Sequence, residues 1–301
     1  MTALLEPVSD AEPRSAARRS AAVWWTLPPL VIVLLAAVYP LVRVCLESTK
    51  GVGTQSSWAI VLSSAAFRDA LWRTVAIAAT STLGCLVLGT FLAVVLAFVP
   101  FPGSRLVGRL IDTVLALPSF LITLAFTFLY GTAGAVNAAI ATATGDRTPV
   151  LDVLYTPTGV IAAEITFFTP FVIRPLLASF AMLPKAHLNV AASLGASPWR
   201  VFASVIMPEA WPALTAGGSL VLLLTLNEFG IVLFTGAKGV TTLPVLIYTR
   251  GIVTFDLPGA AVIATVQIAL SLTLYCAYRM IFARTSTRRG GTGDVVVEPA
   301  R

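Results

Sequence analysis

The sequence is poor in charged residues, in histidine and in cysteine. Charged side chains make up 11% of the 301 residues, and the one histidine is His187. The three cysteines are widely separated and share no metal-binding spacing; they are Cys45, Cys85 and Cys276. We therefore expect no metal centre and no disulfide framework, and we interpret His187 as a surface residue.

Motifs of catalytic sites are missing as well. No segment reads G-x-x-x-x-G-K-[ST], the loop that holds nucleotide phosphates, and neither Lys50 nor Lys238 lies in such a frame. Gly51 and Gly53 form a pair without the third glycine of a dinucleotide-binding loop. No nucleophile with a partnering base is apparent. These absences predict a chain that is not an enzyme and that holds no cofactor.

Apolar residues, by contrast, are abundant. They make up 57% of the chain, and the mean hydropathy is +0.89. Six mostly apolar segments are long enough to cross a hydrocarbon core of about 30 Å. We place these spans near 24–46, 71–99, 110–130, 158–183, 211–234 and 259–282. The prediction is an all-α polytopic membrane protein with one six-helix transmembrane domain over 23–283. A short surface helix is expected at 134–144, and disordered cytoplasmic tails at 1–22 and 284–301.

Basic residues are distributed unequally between the two sides of such a bundle. Six spans place both termini on one side, and that side holds thirteen of the 20 lysines and arginines, against seven on the other. Because cytoplasmic loops carry the excess of basic residues, both termini and the loop at 184–208 are predicted to be cytoplasmic. The net charge of +6 therefore reflects membrane topology rather than nucleic-acid binding.

The loop at 184–208 is a polar interruption between the fourth and fifth spans. Small or apolar residues recur at helical spacing on one face of its first part: Leu188, Ala191, Ala192 and Gly195. Gly195 suits the left-handed position that ends a helix. Ser197 followed by Pro198 is typical of the N-cap and first turn of a second helix. The pattern predicts a helix–turn–helix whose small residues allow a large partner to approach closely.

This loop resembles the EAA loop of binding-protein-dependent ABC importer permeases of the type I, MetI-like kind. Gly195 and Pro208 keep the spacing of that motif, whereas Asn189 occupies its glutamate position and Met207 its leucine position. The resemblance implies that an ATPase subunit docks on these residues: Asn189, Ala191, Ala192, Gly195, Ser197, Pro198 and Pro208. An ordinary amphipathic cytoplasmic loop is the alternative interpretation.

Two later segments carry the resemblance further. Residues 227–230, Asn-Glu-Phe-Gly, and residues 242–248, Thr-Leu-Pro-Val-Leu-Ile-Tyr, resemble the GEFG and TLP-x-x-x-Y segments of permeases for oxyanions and related solutes. The second segment is expected to form a short helix on the outer face. Together they look most similar to 2-aminoethylphosphonate permeases. Permeases for iron(III), sulfate or thiosulfate, and polyamines share much of the pattern, so these solutes stay open.

The resemblance implies a type I importer permease fold and a transport subunit in the bacterial cytoplasmic (inner) membrane. Its implied partners are two ABC ATPase subunits, a second permease chain that is identical or a paralogue, and an extracytoplasmic solute-binding protein. The lipid bilayer surrounds it, and no nucleic acid is expected. The alternative class is a secondary transporter driven by an ion gradient. That class often shows internal repeats, and none is apparent between 24–130 and 158–282.

Two acidic residues fall inside predicted spans. Glu164 and Glu228 each lie about six residues from the outer end of a span, roughly 9 Å deep at 1.5 Å per residue. Charge in hydrocarbon is costly and usually faces a cavity, so we predict a translocation path lined by these acids with Thr166 and Asn227. An interhelical hydrogen bond is the alternative role. Two buried carboxylates suit an amine better than a bare anion, which makes a polyamine the second solute.

Overall fold

A computed structural model of the protein describes residues 14–52, 55–145, 148 and 153–290. Within these residues, six helices are long and apolar enough to cross a membrane, judged by length and composition. They are Thr26–Ser48, Ala65–Phe98, Ser119–Thr144, Pro157–Ala181, Pro198–Leu226 and Leu257–Ile281. The predicted all-α architecture with six spans is confirmed.

Fourteen α-helices are found within the described residues. Their bounds are α1 Arg14–Ser48, α2 Ser57–Ser63, α3 Ala65–Phe98, α4 Ser104–Leu115, α5 Ser119–Tyr130, α6 Ala135–Thr144, α7 Pro157–Phe168, α8 Pro170–Ala181, α9 Lys185–Ser193, α10 Pro198–Val201, α11 Met207–Leu226, α12 Gly230–Thr235, α13 Leu243–Tyr248 and α14 Leu257–Gly290. Single π-helical turns lie at Phe202–Ile206 and Thr249–Val253. Two short antiparallel strands, β1 Gly51–Val52 and β2 Gln55–Ser56, pair between α1 and α2. The helix expected at 134–144 is α6, and α13 is the short helix expected in the TLP segment.

The third span was predicted as one helix over 110–130, but the structure divides this segment into two helices. Helix α4 ends at Leu115, and α5 begins at Ser119, with Pro118 in an extended conformation between them. Proline lacks a backbone N–H and disfavours helical geometry in the residue before it, so the helix stops here rather than bending. The apolar span then continues from Ser119 through α6 to Thr144.

The fifth span, predicted as one helix over 211–234, is broken as well. Helix α11 ends at Leu226, and the short helix α12 starts only at Gly230. The break places Glu228 between two helices instead of within one. The N-terminal end of this span also lies earlier than expected, because α10 and a π-helical turn run continuously into α11 from Pro198.

The two ends of the chain are more helical than expected. Helix α1 begins at Arg14 and α14 extends to Gly290, whereas tails were predicted up to residue 22 and from residue 284. No proline or glycine separates Arg14 from the first span, and extending an existing helix costs little compared with starting one. The remaining parts of the predicted tails, 1–13 and 291–301, lie outside the described residues.

The buried core is formed mainly by α3, α7, α8 and α11. Its fully buried side chains include Cys85 of α3, Val172 and Leu176 of α8, and Val221 of α11. A second, smaller cluster joins α2, α3, α13 and α14 through residues such as Val61, Leu243 and Ile263. Helix α1 packs on α14, and none of the residues in its apolar window is buried. Four helices thus form a packed centre, and α1 lies at its edge.

Helices α3 and α8 approach each other closely at Gly89. A Cβ atom added to this glycine would lie 2.8 Å from Cβ and 2.9 Å from Cγ1 of Val172, whose side chain is fully buried. Real Cβ atoms essentially never approach so closely, so one of the two helices would have to move. The absence of a side chain at residue 89 is therefore what permits this helix–helix contact.

We expect Gly89→Ala to lower the stability of the protein by about 1–3 kcal/mol, the usual cost of overpacking a core. Gly108→Ala is the matched control, because a Cβ added to Gly108 in α4 has no neighbour within 4 Å. That control should be neutral or more stable, by up to about 1 kcal/mol from helix propensity. Thermal unfolding of the detergent-purified protein measures both; equal midpoints for the two variants would contradict the close contact.

Candidate functional site

The loop at 184–208 begins with helix α9, which ends in a Schellman motif. Gly195 has the left-handed φ of 71° expected at this position. The Ala196 N–H donates to the carbonyl of Ala191 (3.1 Å), and the Gly195 N–H donates to the carbonyl of Ala192 (3.0 Å). These bonds satisfy two carbonyls that would otherwise be free at the end of the helix. The predicted left-handed glycine is confirmed.

The second half of the loop is also built as predicted. The Ser197 side chain accepts a hydrogen bond from the Arg200 N–H (3.4 Å), and Pro198 occupies the first turn of α10. A π-helical turn follows, and Pro208 lies in the first turn of α11. Because α10, the π-helical turn and α11 are continuous, the loop is joined without a flexible linker to a helix that crosses the core.

The tip of this helix–turn–helix is open to its surroundings. Most of the predicted coupling residues are exposed, namely Asn189, Ala192, Gly195, Ser197 and Pro198. A Cβ at Gly195 would meet nothing within 4 Å, so no neighbour in the described chain limits the size of this side chain. Ala191 and Pro208 are half-buried, and His187 is exposed, as expected for a surface residue.

Two large apolar side chains at the tip were not predicted as site residues. Leu194 is 80% exposed and Trp199 is 74% exposed, on either side of the turn formed by Gly195 and Pro198. The Trp199 ring packs on Phe202, with ring centroids 5.3 Å apart. Exposed apolar groups clustered on a polar loop are typical of a protein–protein contact. The sequence could have identified Leu194 and Trp199 as surface residues, because they lie next to the residues that cap the two helices.

An apolar groove of about 1170 Å³ extends from this tip along α3. Phe91 and Val94 line it from α3, while Leu188, Ala192 and Trp199 line it from the loop. The loop and the exposed side of α3 thus form one continuous apolar surface.

Glu164 lies in α7 with its side chain turned fully into the core. Its exposure is 0%, and neither carboxylate oxygen has a hydrogen-bond partner among the described residues. The hydroxyl of Ser81, on α3, lies beside it, yet it too has no partner of hydrogen-bonding geometry. A buried carboxylate without donors is costly, so Glu164 is the least satisfied polar group in the described core.

Glu228 has a different environment. It lies in the break between α11 and α12 and is 9% exposed. Its Oε1 accepts hydrogen bonds from the Ile231 N–H (2.8 Å) and from the Ser119 hydroxyl (3.0 Å). Glu228 therefore caps the start of α12 and ties it to the start of α5. This contact is an interhelical hydrogen bond, the alternative role that the sequence suggested for Glu228. The pathway role of Glu228 stays a prediction.

The other two predicted pathway residues lie on exposed surfaces. Asn227 accepts a hydrogen bond from Gln267 of α14 (3.3 Å) and donates to the Leu223 carbonyl (2.8 Å). Thr166 donates to the Ala162 carbonyl (2.8 Å) and faces a cavity of about 380 Å³. Two positions along a helix correspond to about 200° of rotation, so Thr166 and Glu164 point to opposite sides of α7. The structure does not bring these two together.

Further polar residues connect the helices near the break after Leu226, and they were not predicted from the sequence. The Gln267 amide donates to the Leu226 carbonyl, the last residue of α11, at 2.7 Å. The hydroxyls of Thr82 on α3 and Thr225 on α11 lie 3.4 Å apart. The signal that could have identified Gln267, Thr82 and Thr225 is that each is an uncharged polar residue within an apolar span.

An ion pair joins the broken third span to the fourth. Arg174 of α8 pairs with Asp112 of α4 and donates to the Gly108 carbonyl at 3.3 Å. These contacts fix α4 against α8.

Comparison with known proteins places most of the chain in one family. A family model described as "Binding-protein-dependent transport system inner membrane component" matches residues 85–287. A protein of Salmonella paratyphi A is 48% identical over 267 residues, covering 88% of this chain and 92% of the relative. It bears the provisional name 2-aminoethylphosphonate transport system permease protein PhnU. The sulfate transport system permease protein CysT of Escherichia coli K12 is 31% identical over 207 residues, covering 67% and 72% of the two chains.

Solved structures with the same fold come from transporters. One is a bacterial alginate ABC transporter in complex with an alginate pentasaccharide-bound periplasmic protein. It matches with a TM-score of 0.77 at 18% identity, over 89% of this chain and 96% of that chain. An inward-facing methionine ABC transporter matches with a TM-score of 0.51, also at 18% identity, over 73% and 94%. At these identities the similarity concerns the fold alone.

The hydrogen bonds of Glu228 lead to a stability prediction. Glu228→Leu removes the acceptor of the buried Ile231 N–H and should cost about 1–3 kcal/mol. Glu228→Gln keeps an oxygen at the Oε1 position and should remain close to the parent protein. Thermal unfolding in detergent measures both variants. If leucine and glutamine gave the same midpoint, the capping role of the carboxylate would be refuted.

Proposed function

The chain belongs to the family of binding-protein-dependent transport system inner membrane components, and we propose that it is the membrane-spanning subunit of an ATP-driven importer for 2-aminoethylphosphonate. The observation that carries the proposal is the exposed helix–turn–helix at 184–208, which is joined rigidly to α11. A loop of this geometry gives a cytoplasmic ATPase a place to act on the bundle. The named solute rests on the relative that is 48% identical.

In this proposal the chain is a transport subunit and ATP hydrolysis takes place in a partner. One of two ATPase subunits docks on the loop through Asn189, Ala191, Ala192, Gly195, Ser197, Pro198 and Pro208. A second permease chain completes the membrane unit, and an extracytoplasmic binding protein delivers solute to the outer face. Both termini and the loop lie in the cytoplasm, in line with the excess of basic residues on that side. ATP binding shifts the permease between conformations that differ in their affinity for these partners.

The translocation path is proposed to include Glu164, Thr166, Asn227 and Glu228. Thr166 and Asn227 are exposed at the level of the spans, where a second permease chain would enclose them. Glu164 and Glu228 are buried in the core of the single chain. Solute that passes between two chains would therefore meet the threonine and the asparagine first, and the acids only after the helices separate.

Sulfate is the second candidate solute, because the sulfate permease of Escherichia coli is also related to this chain. Uptake by the complete importer distinguishes the two. Cells that lack other phosphonate uptake would express this chain with its own ATPase, partner permease and binding protein. Uptake of labelled 2-aminoethylphosphonate that depends on all components, and that excess sulfate does not reduce, supports the proposal. Uptake of sulfate in its place would transfer the assignment to that anion.

Gly195 allows a test of the coupling loop with a matched control. Gly195 and Gly239 share a φ of 71°, and a Cβ at either position would have open space around it. Replacing either glycine by aspartate forces a side chain into the left-handed region at a similar cost, about 1–2 kcal/mol. Only Gly195 lies on the proposed docking surface.

We expect Gly195→Asp to abolish uptake and co-purification of the ATPase while the protein still inserts into the membrane. Gly239→Asp should keep the ATPase bound. Pull-down of the ATPase subunit, with membrane insertion verified by fractionation, measures both effects. Equal retention of the ATPase by the two variants would show that 184–208 is not the docking loop.

A further inference from the structure

The described core contains a layer of buried polar side chains at the level of the break after α11. Five residues of four helices and one residue of the break form it: Ser81, Thr82, Glu164, Thr225 and Gln267, with Glu228 in the break. All are at most 9% exposed. The layer connects α3, α7 and α14 to the end of α11, so each of these helices contributes at least one polar group to the same level of the core.

Hydrogen-bond acceptors in this layer outnumber the available donors. Both oxygens of Glu164 and the Oε1 of Gln267 are buried without a partner, and so is the hydroxyl of Ser81. The amide of Gln267 is already used by Leu226, Asn227 and Ser271. Buried polar groups are normally satisfied, so unused acceptors in a packed core call for a ligand that brings donors.

The charges in the layer also favour a ligand that donates hydrogen bonds and carries a positive charge. The layer holds two acids, Glu164 at 0% exposure and Glu228 at 9%. The ion pairs found within the described residues involve other acids: Glu47 with Lys50, Asp112 with Arg174, and Asp256 with Arg250. The layer therefore favours a positively charged group and disfavours an oxyanion.

We propose that the carboxylate of Glu164, with the hydroxyl of Ser81 beside it and Glu228 nearby, binds the primary ammonium group of the transported solute. An ammonium carries three N–H donors and no acceptor, which complements a site that has acceptors to spare. Its positive charge offsets the two carboxylates, and the hydrogen bonds it makes to a carboxylate are among the stronger ones. This inference rests on the proposed importer function and specifies which end of the solute the core recognises.

Access to Glu164 requires movement of the helices. The carboxylate is 0% exposed, so α3 and α7 must separate before a solute can reach it. Their contacts at this level include small or flexible groups: Gly84 faces the end of the Ile165 side chain, and the Cys85 thiol lies 3.7 Å from the Ile165 carbonyl. The alternation between conformations that transport requires would supply this separation.

The test compares two probes on the complete membrane complex, this chain with its partner permease and ATPase, in lipid nanodiscs. The probes are 2-aminoethylphosphonate and ethylphosphonate, which share the phosphonate and differ in the amine. Titration calorimetry with and without ATP measures their affinities. We expect 2-aminoethylphosphonate to bind the parent complex about tenfold more tightly than ethylphosphonate, and Glu164→Gln to remove that difference. Asp69→Asn, at an exposed acid of α3, is the control and should preserve it.

Ser81→Ala gives a second reading if the glutamine variant does not fold. It removes only the hydroxyl beside the carboxylate and should lower the preference for the amine by about two- to threefold, within the range for one neutral hydrogen bond. Equal affinities of the two probes in the parent complex would overturn the inference. So would an unchanged preference in Glu164→Gln or, if that variant does not fold, in Ser81→Ala. No binding of either probe in any nucleotide state would overturn it as well.

Failure of this inference differs from failure of the proposed function. If Glu164→Gln imports 2-aminoethylphosphonate at the parent rate, the importer assignment stands and the ammonium site falls. If the parent importer does not take up 2-aminoethylphosphonate at all, the solute assignment falls first.

Discussion

A helix that breaks inside a membrane leaves backbone groups that water cannot satisfy, and the centre of this protein is arranged around one such break. Helix α11 ends at Leu226, whose carbonyl accepts a hydrogen bond from Gln267 of α14. Helix α12 then begins with the Ile231 N–H bonded to the Glu228 carboxylate. The same carboxylate holds Ser119 at the start of α5. Two side chains thus replace the missing backbone partners and fix three further helices around the break.

Features that depend on neighbouring residues were predictable from the sequence. The lengths of the apolar segments predicted six spans, because crossing the hydrocarbon core sets a minimum length. The left-handed Gly195 and the N-cap Ser197 were predictable because capping uses residues only a few positions apart. The resemblance of residues 227–230 and 242–248 to 2-aminoethylphosphonate permeases agrees with the name of the relative in Salmonella.

Features that depend on contacts between distant residues could not be predicted from the sequence. The break after Leu226 is stabilised by Gln267, 41 residues later, so the apolar pattern of 211–234 alone predicted a continuous helix. Glu164 and Thr166, which were both predicted to line a pathway, lie on opposite sides of α7, because two positions along a helix correspond to about 200° of rotation. Which of the two faces the core depends on the packing of α3 against α7, and the sequence of α7 does not contain that information. Ser81 and Gln267 were missed because attention to charge alone passes over uncharged polar residues in apolar spans.

The proposed docking loop and the polar layer lie at opposite ends of α11. This helix has 20 residues, from Met207 to Leu226, and so measures about 30 Å at 1.5 Å per residue. It packs against α3, α8 and α14, and it is continuous at its start with α10 and at its end with the break. A displacement of the loop would therefore move α11 as a rigid element and change the contacts of Gln267 and Glu228 at the far end. A single helix that reaches from the proposed docking loop to the polar layer is a continuous physical connection between the two.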